Sequence, residues 1–198
     1  MMSQIPTPNQ KSLPTQIVKK YEKILKTLKP FLGELLDLIF LLKSGGYVQK
    51  EETISRWKRW LSDAEFYLEY HDLMMSIRFI HNATCDMQLV IDRILEKALW
   101  ENIPIPEALQ KKFREVAEAS RKFLSILLDL VDYYSDINNI PPVVWAAWID
   151  MINRAYFFMK EGDLELAIHG VARVLQSMEP LLNGLRNHFD PIEIEPSH

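Results

Sequence analysis

Apolar residues recur at helical spacing over most of this chain. In the first long segment they alternate in steps of four and three, at Ile17, Tyr21, Ile24, Leu28, Phe31, Leu35, Leu38 and Leu42. The chain has no glycine or proline between Gly46 and Pro104, or between Pro106 and Pro141, and these two residue types most often interrupt helices. None of the long segments alternates apolar and polar residues over the length of a strand. The pattern predicts an all-α fold: a single-domain bundle of five or six amphipathic helices with antiparallel neighbours.

The first predicted helix runs from Thr15 to a stop at residues 44–46, where Ser-Gly-Gly follows the last apolar position. Its stripe continues in phase through Pro30, which predicts a kink within one helix. Residues 51–102 carry two stripes that are out of register by one position. The slip predicts either two helices or one long bent helix, with the change of direction around residues 70–72.

Three more helices are predicted towards the end of the chain, where proline and glycine separate the apolar stripes. They cover about 106–138, 143–161 and 163–188. The polar, proline-bearing residues 1–14 predict a flexible arm, and residues 190–198 predict a flexible acidic tail. The bundle is therefore expected to occupy residues 15–189.

The last predicted hairpin resembles a single tetratricopeptide-type unit. The residues that carry the resemblance are Gly162-Asp163-Leu164 at the start of its second helix, Ala167 four residues beyond Asp163, and Pro180 further on. No second copy occurs upstream at a fixed period, whereas stacked repeats need about three units to bury their faces. We interpret the segment as a convergent helical hairpin.

Composition narrows the class of protein. At 198 residues and 48% hydrophobic, the chain is long enough for one sizeable core. Its lone cysteine, Cys85, cannot form an internal disulfide, and the first residues hold no apolar run typical of a signal peptide. The most apolar segment, residues 31–42, contains two carboxylates and is too short to cross a bilayer. We therefore expect a cytoplasmic protein without a membrane partner.

Titratable residues form no complete catalytic or metal-binding set in the sequence. His81 lies one turn before Cys85, and Glu165 lies one turn before His169, while His71 falls on an apolar stripe. The Glu-x-x-His motifs of di-iron bundles do not occur, and a thiol within a helix usually behaves as a small apolar group. We expect no enzymatic activity, no cofactor and no bound metal.

Charge is unevenly distributed along the chain. The net charge is −4, but residues 1–50 hold eight lysines against three acidic residues, which gives +5 and leaves −9 for the remainder. A group of lysines is predicted to line the first helix away from its apolar stripe: Lys19, Lys20, Lys23, Lys26 and Lys29. This face could bind backbone phosphates. A small nucleic-acid-associated subunit is therefore the alternative function.

Two Trp-x-x-Trp pairs provide the positive evidence for the leading function. Trp57 and Trp148 lie on apolar stripes, whereas Trp60 and Trp145 lie off them. A tryptophan off the stripe needs cover. Either it widens the core face of its helix, or it is an exposed anchor, because tryptophan is enriched at the energetic centres of interfaces. The sequence thus favours a non-enzymatic helical interaction protein, an adaptor, regulator or assembly subunit, that binds a protein partner or itself through these side chains.

Overall fold

The computed structural model describes residues 13–189, and all regular structure in this range is helical. The helices are α1 (Thr15–Ser44), α2 (Glu51–Glu69), α3 (Leu73–Trp100), α4 (Glu107–Asn138), α5 (Pro142–Glu161), α6 (Leu164–Ser177) and α7 (Glu179–Phe189). The all-α class predicted from the sequence is confirmed. The helix count in the described range is seven, so the expectation of five or six was too low.

The additional helix arises in the last predicted segment, which is divided at Met178. α6 ends at Ser177, and α7 begins at Glu179 with Pro180 in its first turn. Proline lacks a backbone N–H and its ring clashes with the carbonyl four residues earlier, so it cannot continue α6 but is well placed at a helix start. In α1, by contrast, the helix continues through Pro30.

Residues 51–102 form two separate helices, α2 and α3, rather than one long bent helix. His71 takes a left-handed backbone conformation with φ of 53°, which ends α2, and the Asp72 carboxylate caps α3 by accepting the N–H of Met75 at 3.0 Å. The buried Tyr21 hydroxyl of α1 donates to the His71 carbonyl at 2.7 Å and accepts the N–H of Leu73 at 3.2 Å. Burial raises the pKa of Tyr21, so this hydroxyl keeps its proton.

The turn between α5 and α6 is fixed from α3 and α4. Gly162 has φ of 88°, and an added Cβ would lie 2.6 Å from the Phe113 ring. The buried Gln88 amide donates to the Gly162 carbonyl at 3.0 Å and to Asp92 at 2.8 Å, and it accepts the N–H of Leu164 at 2.9 Å. One side chain of α3 therefore satisfies both ends of the turn.

The contacts among helices α1 to α6 form a closed ring in the order α1, α2, α3, α6, α5 and α4. α1 contacts α2 and α4, α3 contacts α2 and α6, and α5 contacts α4 and α6, while α7 contacts α3 and α6. Lys20 of α1 pairs with Asp129 near the end of α4 at 3.1 Å, and Glu34 pairs with Lys112 near its beginning at 3.0 Å. α1 and α4 therefore run in opposite directions. One apolar core takes side chains from all seven helices.

Residues 1–12 of the predicted arm and residues 190–198 of the predicted tail lie outside the described residues. The last two arm residues are described, and Leu13 packs against the core, near Gly184 of α7. No helix in the described range is long and apolar enough to cross a membrane.

Candidate functional site

The first half of α5 exposes a run of consecutive, mainly apolar residues. Residues 142–147 are all exposed, and burial within α5 begins only at Trp148. Val143 is 76% exposed, Val144 and Trp145 are each 37% exposed, and Ile137 at the end of α4 is 53% exposed. We call Ile137, Val143, Val144 and Trp145 the α4–α5 surface. Val143, Val144 and Trp145 are consecutive residues of α5, so their side chains point about 100° apart around the helix axis. Together they expose apolar area at this end of the bundle, and such area is typical of a protein-binding site.

Carboxylates of α4 border this surface. The Trp145 indole N–H donates to Asp132 at 2.7 Å, which fixes the orientation of the ring. Asp136 is exposed one turn further along α4, and Asp129, one turn before Asp132, pairs with Lys20 of α1. One carboxylate, Asp132, therefore contacts the α4–α5 surface at Trp145.

Trp60, the other tryptophan predicted to lie off the core face, is half-buried. It packs against the core, and the Arg56 guanidinium lies 5.6 Å from its ring centre. Its neighbour Trp57 is fully buried and donates its N–H to Asp86 at 2.7 Å. Trp60 is therefore partly covered by its own protein, and its remaining side lines an open cleft of about 550 Å³ together with the exposed Leu89. Trp145 is held to Asp132 beside the exposed Val143 and Val144.

The most exposed tryptophan is one that the sequence reasoning did not select. Trp100 in the last turn of α3 is 86% exposed, and Leu99 beside it is 80% exposed. Trp100 is two positions beyond Ala98 on the buried stripe, a rotation of about 200° around the helix. Trp60 and Trp145 were selected because they lie off the apolar stripes, and the same criterion would also have selected Trp100.

The five lysines of α1 divide into two groups. Lys20 pairs with Asp129 at 3.1 Å, and Lys29 pairs with Glu69 at 3.6 Å. The other three are exposed, and within residues 13–189 no ion pair within 4 Å involves them: Lys19, Lys23 and Lys26. The basic face is therefore smaller than the sequence suggested.

Packing of α3 against α6 brings together two pairs of residues that are separate in the sequence. The Cys85 sulfur lies 3.4 Å from His81 Nε2, and the rings of His81 and His169 are 5.4 Å apart. Burial, together with the Glu165 carboxylate, raises the pKa of Cys85 to about 11, and burial beside His169 lowers the pKa of His81. The thiol is thus protonated at neutral pH and is a poor nucleophile.

These four side chains also form no preformed metal centre. As they are placed, no group of three or more histidine, cysteine, aspartate or glutamate residues between positions 13 and 189 could hold a metal ion.

A cleft of about 540 Å³ separates the start of α3 from α6 and α7. Met74, Met75 and Ala172 form part of its wall, and Arg186 of α7 reaches across its edge to Asp72 at 2.8 Å. The same Asp72 carboxylate caps α3. The charged groups at this edge therefore attach α7 to the bundle.

In comparisons with known proteins, no family model, no curated protein and no solved structure matches this chain.

Proposed function

We propose that this chain is a non-enzymatic helical interaction protein, an adaptor, regulator or assembly subunit of the cytoplasm, that binds a protein partner through the α4–α5 surface. The observation that carries the proposal is the exposure of residues 142–147 together with Ile137. Burying this apolar area against a partner contributes roughly 25 cal/mol per Å² before the costs of association.

The charges around the surface indicate the chemistry of the partner. Asp132 accepts the indole N–H of Trp145, and Asp136 is exposed one turn further along α4. A partner with apolar side chains bordered by lysine or arginine matches both parts of the surface. Trp145 resembles an interface anchor because its ring is held in place before the partner arrives.

The test compares three forms of the full chain in affinity capture from its native lysate: the wild type, Val143→Glu, and Leu166→Glu as a control. Val143 and the control Leu166 on α6 are both exposed, so both variants should melt like the wild type. The proposal expects proteins that the wild type and the control retain and Val143→Glu loses. Capture that Val143→Glu leaves unchanged contradicts it.

Trp145→Ala and Trp60→Ala provide a second comparison. Loss of Trp145 is expected to weaken capture by more than about 1 kcal/mol. Loss of Trp60, which packs on the core, is expected instead to lower the melting temperature. If both variants only reduce stability and neither changes capture, the tryptophans are structural and the proposal loses its anchor.

The exposed Lys19, Lys23 and Lys26 favour nucleic-acid binding as a second candidate function. Their side of α1 faces solvent, and lysines on one face of a helix can follow a phosphate backbone. Two of the five predicted lysines already neutralise carboxylates of α4 and α2, so we rank this candidate second.

A further inference from the structure

A second apolar feature lies at the opposite end of the bundle from α7. It is a groove of about 320 Å³ between the end of α3, the α1–α2 loop and the α3–α4 connection. Apolar side chains form most of its lining: Tyr47, Val90, Ile94, Ala98, Ile103, Pro104 and Pro106. We call it the α3-end groove.

The charged side chains that line the groove are both basic, Arg93 and Lys97. No ion pair within 4 Å involves Arg93 in the described part of the chain, and Lys97 approaches Glu101 only at 4.0 Å with its side chain 67% exposed. Trp100 projects within about 20° of Arg93 around the helix axis. The groove thus offers apolar walls, two available positive charges and an exposed aromatic ring at one edge.

The sequence after α7 has the complementary chemistry. Ile192 and Ile194 alternate with Glu193 and Glu195. In an extended segment successive side chains point to opposite sides, so such a sequence presents isoleucines on one side and carboxylates on the other. The isoleucines match the apolar walls, and the carboxylates match Arg93 and Lys97.

A copy of the chain cannot fill its own groove with this segment. Phe189, the last described residue, stacks on His71 beside the start of α3 at 4.5 Å. Val90, the groove residue of α3 nearest that end, is 17 positions beyond Leu73, which corresponds to about 25 Å along a helix. Five residues beyond Phe189, Ile194 reaches at most about 18 Å. If this segment fills a groove, the groove therefore belongs to a second molecule.

We propose that the α3-end groove of one copy binds the segment Ile192-Glu193-Ile194-Glu195 of a second copy. The contact is heterologous, because groove and segment are different surfaces. If each of two copies binds the segment of the other, the contact closes into a dimer. If each copy binds the segment of a further copy, it extends into an open filament. It is independent of the α4–α5 surface, so Val143→Glu should leave it unchanged.

Charge reversal with rescue tests the proposal on the full chain by sedimentation over a wide range of concentration. The wild type is expected to self-associate. Arg93→Glu with Lys97→Glu, or Glu193→Lys with Glu195→Lys, should each weaken association by about tenfold or more, because attraction is replaced by repulsion. The variant that carries all four substitutions should regain association, since the signs are reversed on both sides.

Lys111→Glu with Arg114→Glu is the matched control, because it makes the same charge change on an exposed face of α4. It is expected to associate like the wild type. A wild type that remains monomeric at every concentration overturns the proposal. So does a fourfold variant that associates no better than either double variant, or a control that weakens association as much as the groove variant.

Discussion

Replacing Gln88 by alanine tests how the turn between α5 and α6 is held. Gln88 is only 5% exposed, and its amide joins Asp92, the Gly162 carbonyl and the Leu164 N–H. The substitution leaves the two backbone groups without their partner. Because a buried polar group left unsatisfied costs about 1 to 3 kcal/mol, the two together predict a loss of roughly 2 to 6 kcal/mol in the free energy of unfolding.

Equilibrium unfolding in urea measures this loss, with Gln110→Ala as the control. Gln110 is half-buried and makes one hydrogen bond, to the Ile105 carbonyl at 2.8 Å, so its loss is expected to cost about 1 kcal/mol. Amide exchange should also accelerate at Leu164 in the Gln88 variant. If the two variants lose equal stability, the turn does not depend on Gln88 and the hydrogen-bond argument is wrong.

Two further predictions concern chemistry and nucleic-acid binding. Because burial raises the pKa of Cys85 from 9.0 to about 11, the thiolate fraction near neutral pH falls about a hundredfold. Alkylation by iodoacetamide should be slower than that of a free thiol by at least this factor and should accelerate with rising pH; rapid alkylation near neutral pH would instead show that His81 activates the thiol. For the lysines, the second candidate function requires salt-sensitive binding of duplex or single-stranded nucleic acid that charge reversal abolishes. The leading function expects no such binding in a fluorescence anisotropy titration, for the wild type or for the variant with glutamate at all three exposed positions, Lys19, Lys23 and Lys26.

The apolar pattern predicted the fold class and most helix boundaries, because burial of one face determines where a helix packs. The phase slip near residues 70–72 corresponds to a true break, where the left-handed His71 ends α2. The break at Met178 was missed because the apolar pattern stays in phase across it. Pro30 and Pro180 are the same residue type in similar patterns, yet only α1 continues through its proline. α1 is paired with α4 before and after Pro30, through Lys20 and Glu34, and with α2 through Lys29 and Lys43. The sequence does not show these contacts.

The candidate surfaces were less predictable than the fold. Spacing along one helix shows which side chains point away from the core, but it does not show which neighbouring helix covers them. Trp60 packs on the core, whereas Trp145 lies at an open edge. The approach of Cys85 to the Glu165 region, and the groove beside Arg93, likewise depend on helix neighbours brought together by packing.

The closed order of helix contacts has a consequence for how the molecule opens. Each helix from α1 to α6 has two neighbours in that order, so detaching any of them exposes two interfaces at once. α7 lies outside this ring, so among the described helices it alone can separate without opening it. Native-state hydrogen exchange should therefore divide residues 13–189 into a large unit, α1 to α6, that opens only with global unfolding and a small unit, α7, that opens locally. The α4–α5 surface belongs to the large unit, so a partner that binds there would meet side chains already held by the bundle.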